Sequence, residues 1–340
     1  MRRKHVRRMG LFLLICAAWC GMMWNTMAFA AIVDNDTDTI DDNVEQTLML
    51  KFAPKMYLHV NEVNKPSSVD WYLQRVTMRF HHDGGCSDDQ ILALGSVTQA
   101  NMFTQSHSTK NFLCSHNSDN IMSNQARDTY HDEGFFLQPP DDATHLGATN
   151  SSNWKVYAHV LKSTTISGGY DIQYWFFSPY NDSPSVAGVD LNHESDWEHI
   201  TVTLDSEMNF QSTYYAAHDN EGLPYTAAQM DFADSSGVIA TSSQELLNDY
   251  THPVVYSALG THASYPTAGT HTRTSPLPAD VTSTGTAWNT KNSVINVGEL
   301  SYPLNSQTFI KYAGLWGEIG ATTESTGVKG PAFQGAWTTH

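Results

Sequence analysis

The feature that most limits how this chain can fold is the stretch Tyr170–Leu204, YDIQYWFFSPYNDSPSVAGVDLNHESDWEHITVTL, where two strand-like runs flank a polar, acidic loop. Tyr170–Phe177 is aromatic and β-branched. Trp197–Leu204 alternates apolar Trp197, Ile200, Val202 and Leu204 with polar Glu198, His199, Thr201 and Thr203, the period slipping once between Trp197 and Ile200. Both runs are expected to be strands, joined through the turn chemistry of Asn181-Asp182-Ser183-Pro184. Residues two apart on a strand share a face, so Asp196 and Glu198 should point one way, with His193 arriving from the loop mouth. One His and several carboxylates suit Ca²⁺ or Mg²⁺, with Mn²⁺ a further choice, better than a structural Zn²⁺. The alternative is that these residues are solvated turn formers that bind nothing.

The first thirty residues are expected to lie outside the fold. Arg2, Arg3, Lys4, Arg7 and Arg8 precede the mostly apolar Leu11–Met23, and Ala28-Phe29-Ala30 is a small-residue cleavage signal. This predicts a signal peptide, residues 1–30, and a secreted or periplasmic product. No later segment is apolar for long enough to span a bilayer. Removing it leaves 13 basic against 35 acidic residues, a formal charge of −22, which argues against nucleic acid as a partner. Of the four cysteines only Cys86 and Cys114 then remain, and in an exported chain these are expected to form one disulfide.

Residues 31–46, with Asp34, Asp36, Asp38, Asp41 and Asp42 close together, read as a mobile acidic N-terminus. The folded domain is expected over 47–340. Thr47–Val60 reads as a strand broken by Pro54, and the stretch Pro66–Leu73 as the opening of a short helix with Ser67 or Ser68 as its cap. Residues 81–152, rich in Asn, Asp, Ser, Gly and His, read as a loop-rich insertion tied by the disulfide. From Trp154 onward short apolar runs alternate with Gly, Asn, Asp and Pro, which predicts a β-sandwich or an open barrel. No Gly-rich phosphate loop and no G-x-S-x-G elbow occurs, so nucleotide-binding and α/β-hydrolase folds are improbable. Pro253–Pro266, PVVYSALGTHASYP, places His262 at a strand-to-loop transition, where a His serves as general base, metal ligand or loop tie. Trp316, Phe333 and Trp337, set among glycines near the C-terminus, are expected in the core more than as sugar platforms.

Four segments in order resemble the vacuolar protein sorting-associated protein 62 family: FAPKMYLHVNEVNKPSSVDWYL, YWFFSPYN with HESDWEHITV, PVVYSALGTHASYP, and LWGEIG with GPAFQGAW. They extend from Lys51 to Trp337. The central part is also similar, more distantly, to the necrosis- and ethylene-inducing-peptide-like secreted proteins, whose hallmark is G-H-R-H-D-W-E after an aromatic strand and a D-S-P turn. The corresponding residues here are Asn192, His193, Glu194, Ser195, Asp196, Trp197 and Glu198, with Asp182-Ser183-Pro184 upstream. That resemblance implies a compact β-sandwich, a divalent cation held by Asp182, His193, Asp196 and Glu198, and a match of His262 and Tyr265 to the family's S-x-H-G-x-Y segment. Asn192, Glu194 and Ser195 depart from the pattern, and the loop after Asp182 is longer. Together these readings predict a single β-sandwich with a few short helices that binds a glycan or glycolipid head group through the cation, Trp197 and Tyr265 lining the ligand pocket. Two other readings stand beside it: a metal-dependent hydrolase or lyase using His262 or His199 for proton transfer, and a purely structural cation.

Overall fold

The computed structural model describes residues 32–82, 87–107, 119–120, 134–140, 142–240, 249–319 and 325–339. The expected signal peptide and the expected Cys86–Cys114 disulfide lie outside the described residues. In chain order the first half holds α1 (Asp42–Lys51), β1 (Lys55–Tyr57), α2 (Val69–Leu73), β2 (Thr77–His81), β3 (Asp89–Leu92), β4 (Ser106–His107), β5 (Asp119–Asn120), β6 (Gly134–Gln138), α3 (Asp142–His145), β7 (Val156–Lys162) and β8 (Tyr170–Asn181). The second half holds β9 (His193–Leu204), β10 (Phe210–Tyr215), α4 (His218–Glu221), β11 (Leu223–Tyr225), β12 (Phe232–Ala233), β13 (His252–Ser257), β14 (Ser264–Tyr265), β15 (Gly269–His271), β16 (Asp280–Thr282), β17 (Ala287–Asn289), β18 (Val294–Asn296) and α5 (Ala336–Thr339). The chain is mainly β with short helices, and among the described residues no helix is long and apolar enough to cross a membrane.

Two sheets carry the fold. The larger runs β11-β10-β9-β8-β7-β18, and the second runs β12-β13-β1-β17 with β14 added beside β13. Both are mainly antiparallel with one parallel pair each, β18 with β7 and β1 with β13. The long hairpin of β8 and β9 is the spine, in register from Tyr170 opposite Leu204 to Asn181 opposite His193. In β8 Tyr174–Phe177 is apolar on consecutive residues because both faces are covered. Ile172, Tyr174 and Phe176 of β8 and Ile200, Val202 and Leu204 of β9 join a cluster with Met56, Val255 and Trp288 of the other sheet. Trp175, Phe177 and Trp197, on the alternate positions, join a second cluster with Phe80, Phe135, Phe309 and Trp316. The slip in alternation at Trp197 is therefore no bulge: Trp197 faces one core and Ile200 the other. Burying each such side chain contributes roughly 1.5–3 kcal/mol.

Three expectations change. Thr47–Lys51, expected as the first part of a strand, is the second half of α1, and only Lys55–Tyr57 beyond Pro54 is strand, because Leu48 and Met49 pack as one helical side. Residues 31–46 are built into the fold from Val33 on: Asp36, Ile40 and Glu45 are buried, and α1 starts at Asp42, its cap Asp41 accepting from the Asn43 amide at 2.9 Å. Composition suggested a solvated tail, but Leu48 and Met49 of α1 lie in the first core cluster and draw the preceding loop down with them. The stretch 81–152, expected to be loop-rich, contributes β6, which pairs with β2 and sends Phe135 and Leu137 into the second cluster. Ser68, one of the two expected caps of α2, accepts from the Trp71 amide at 3.1 Å. Trp316 and Trp337 are buried, as core residues are.

Candidate functional site

The ends of β8 and β9, the turn after β1 and the turn between β13 and β14 meet at one place. Asn181 closes β8, and its carboxamide oxygen accepts from the Ser183 amide at 3.1 Å, the local bond that turns the chain out of the sheet. The hairpin tip is the tight Val186–Val189 turn, with Ala187 and Gly188 both at positive φ. Returning, β9 begins at His193, whose Nδ1 donates to the Ser195 carbonyl at 2.7 Å. Ser195 sits at φ +60°, and its hydroxyl donates to the Trp316 carbonyl at 2.6 Å beside the Tyr72 hydroxyl at 2.8 Å.

The β13–β14 turn brings in His262. Gly260 and His262 adopt φ of +75° and +55°, folding the turn onto β8. A side chain at Gly260 would stand 2.6 Å from the Asp182 carbonyl oxygen, so glycine permits the close approach in which the Asp182 amide donates to the Gly260 carbonyl at 2.9 Å. Asn181 Nδ2 donates to the Thr261 carbonyl at 3.3 Å and to Asp196 Oδ2 at 3.0 Å. His262 Nδ1 lies 3.0 Å from the same Asp196 oxygen.

On its other side His262 meets a residue the sequence did not single out. Glu62, in the turn after β1, lies 3.7 Å from His262 Nε2. Its two oxygens accept from the Gly260 amide at 2.8 Å and the Asn64 amide at 2.8 Å. Burial disfavours the imidazolium, but the charge of Glu62 and the hydrogen bond to Asp196 outweigh it and push His262 up to about 10. Burial likewise works against the Glu62 carboxylate, yet His262 and the two amides hold it down at about 2. His262 is thus a fixed imidazolium clasped by two carboxylates, which suits it to orient Asp196 and not to take a proton near neutral pH.

Asp196, Glu198, His262, Ser178 and Ser257 line one side of a cavity of about 10 Å³, with Met56, Leu58 and Phe176 on the other. That is room for about one water molecule or monatomic ion. The remaining sequence-predicted residues do not converge on it. Asp182 is exposed on the loop, and no three ligand atoms from Asp182, His193, Asp196 and Glu198 lie within 4.8 Å of one another among the described residues. His199 belongs to the opposite face of β9, stacked on Trp175 at 4.3 Å. Trp197 packs into the aromatic core beside Phe177 and Trp316. Tyr265 turns away, donating to Asp280 Oδ2 at 2.7 Å and stacking on His271 at 3.7 Å. As a four-residue cage the expected cation set does not fit. Of that set only Asp196 and Glu198 line the cavity, and carboxylates are the donor type that Mg²⁺ and Ca²⁺ prefer.

Glu194, where the toxin-like pattern has Arg, is buried and accepts from the Glu318 amide at 2.8 Å, tying β9 to the LWGEIG segment. The departures at Glu194 and Ser195 are therefore structural ties to the C-terminal part of the chain.

Comparison with known proteins gives two kinds of match. The family model described as vacuolar protein sorting-associated protein 62 matches residues 99–317. The putative vacuolar protein sorting-associated protein TDA6 of Saccharomyces cerevisiae is 24% identical over 330 residues, covering 89% of this chain and 64% of that protein. Vacuolar protein sorting-associated protein 62 of the same yeast is 25% identical over 169 residues, 45% of this chain and 35% of that protein. The chain thus spans less than two thirds of the length of either relative. Among solved structures, Necrosis and Ethylene inducing Protein 2 from the causal agent of cocoa's witches' broom disease superposes with a TM-score of 0.31 at 14% identity, covering 75% of this chain and 81% of that one. A superposition this loose carries no conclusion about fold or ligand here.

Proposed function

The chain belongs to the vacuolar protein sorting-associated protein 62 family, and from that premise we propose that it is an exported binding protein whose Asp196–Glu198 pocket holds one divalent cation and, through it, a glycan or glycolipid head group. The observation that supports this reading is the convergence of Asp196, Glu198 and His262 on a cavity the size of one ion. Glu62 and Asp196 flank the His262 imidazolium, and Glu198 lines the same cavity. Asn181 and His262 fix the Asp196 carboxylate from behind, the role that outer partners play around a bound metal. A hard cation with open positions takes oxygen ligands, and sugar hydroxyls or head-group oxygens supply them. Trp197 is buried away from the pocket, so recognition would run through oxygen and not through stacking on that ring.

A hydrolase using His262 or His199 is the weaker reading, because the first is clasped by carboxylates and the second lies on the far side of the sheet. The test is calorimetric titration of purified protein with Mg²⁺, Ca²⁺ and Mn²⁺, then glycan and glycolipid binding with and without the metal, in wild type, Asp196→Asn and Glu198→Gln. Loss of one cation-binding event and of head-group binding together in both variants is expected. Head-group binding that persists in the variants, or a cation that binds with no head-group partner, overturns the proposal; the latter would make the ion structural.

A further inference from the structure

The segment leading into α1, residues 34–45, reads DNDTDTIDDNVE. Of its six acidic residues, counted from Asp34, Asp41 at position eight caps α1 and the other five fall at positions one, three, five, nine and twelve: Asp34, Asp36, Asp38, Asp42 and Glu45. This is the ligand spacing of a twelve-residue calcium loop that opens a helix, with a backbone carbonyl at the seventh position, here Ile40, and a glutamate at the twelfth. Such loops carry Gly at position six for a sharp turn. Here the residue is Thr39, and it adopts φ +76°, the conformation for which glycine is usually needed.

The fold brings these side chains together. One ligand oxygen each from Asp34, Asp36 and Asp42 lies within 4.8 Å of the others, and the same holds for Asp36, Asp38 and Glu45. Asp36 is thus common to both groups. A second observation is independent of spacing: Asp36 is 1% exposed and Glu45 0%, yet Asp36 Oδ1 and Glu45 Oε1 have no hydrogen-bond partner. The other Glu45 oxygen accepts from Asn296 Nδ2 at 3.1 Å. No ion pair joins any of these carboxylates to a Lys, Arg or His among the described residues. A buried carboxylate oxygen without a partner is costly, and a small divalent cation is the group that would satisfy Asp36 Oδ1 and Glu45 Oε1 at once.

We propose that residues 34–45 form a calcium site, distinct from the Asp196–Glu198 pocket, in which Asp34, Asp36, Asp38, the Ile40 carbonyl, Asp42 and Glu45 bind one Ca²⁺. The ion would fasten the loop and α1 to the end of β18, where Asn296 holds Glu45. The family match begins at residue 99, so this site lies outside the part of the chain that defines the family.

The test is calorimetric Ca²⁺ titration and thermal melting of the full chain, with Asp36→Asn, Glu45→Gln and the pocket variant Asp196→Asn in parallel. Expected is one Ca²⁺-binding event that weakens at least tenfold in Asp36→Asn and Glu45→Gln and survives in Asp196→Asn. Melting gives a signature that does not depend on perfect folding of a variant. In chelator Glu45→Gln should melt at or above wild type, since one of the crowded carboxyl groups has been replaced by an uncharged amide, whereas in Ca²⁺ the order should reverse. Equal Ca²⁺ affinity in wild type, Asp36→Asn and Glu45→Gln, or no Ca²⁺ response at millimolar concentration, overturns it.

Discussion

At the scale of single residues the pocket turns on one ion pair. His262 carries its charge only because Glu62 and Asp196 flank it, and Glu62 also accepts two backbone amides. Glu62→Gln removes one carboxylate from a buried imidazolium, and breaking a buried pair from one side costs about 3–5 kcal/mol. Urea unfolding of the variant should show a loss in that range, and a loss under about 1 kcal/mol would mean the pair is not coupled as the geometry implies. Asp280 gives the pH dependence. Burial works against its carboxylate, but hydrogen bonds from His218, Tyr265 and Thr261 outweigh it and hold the group below its ordinary value of 3.8. A depressed acid adds stability that is present above the unfolded value and is lost as pH falls through the folded one. The melting temperature of wild type should therefore drop relative to Asp280→Asn as pH falls below about 4, and parallel profiles would refute the assignment. Sequence made Asp196 and Glu198 legible because two acids two apart on a strand must share a face. Glu62 was not legible: it is one acid among the polar residues of VNEVNKP, and only the docking of two turns far apart in the chain makes it a partner of His262.

At the scale of elements the β13–β14 turn is the part that places chemistry. Its fit depends on Gly260, which combines φ +75° with a 2.6 Å approach to the Asp182 carbonyl oxygen that any side chain would occupy. Gly260→Ala should cost on the order of 2 kcal/mol or more in urea unfolding and should weaken cation binding at the pocket, because the turn that carries His262 must lift from β8. Retention of both stability and binding would show that the turn is not what positions the histidine. Whereas the apolar run Thr47–Lys51 reads as strand and is helix, the strands around Tyr170–Phe177, Trp197–Leu204, Gln211–Tyr215 and Pro253–Ser257 were readable from their residues, as was the cap of α2. The loop before α1 was not, because its composition is that of a solvated tail and the residue at its tight turn is Thr39 instead of glycine. What decides its fate is the apolar side of α1, where Leu48 and Met49 are buried, and this side is weakly marked in the sequence.

At the scale of the whole unit, β8 and β9 divide their side chains between two cores. Phe176 belongs to one cluster and Phe177 to the other, and the same division separates Ile200 from Trp197. This arrangement explains the slip in alternation between Trp197 and Ile200, since a period of two reports one buried face and here there are two; the expected place of Trp197 in a ligand pocket came with the binding reading, whereas the ring lies in the second core. It also has a mechanical consequence. Trp316 is fully buried in the second cluster, in ring contact with Tyr72, Phe177, Trp197, Phe309 and Tyr312. Trp316→Ala should cost about 3–5 kcal/mol by the cavity it leaves. Because the strands that lose packing on that side are the same ones that support the first cluster, neither core can loosen while the other keeps its floor. Tryptophan fluorescence and far-ultraviolet circular dichroism should therefore lose signal at one common urea midpoint, in wild type and in Trp316→Ala alike. Two separated midpoints, with fluorescence falling first in the variant, would show that the cores are independent and that the shared hairpin does not couple them.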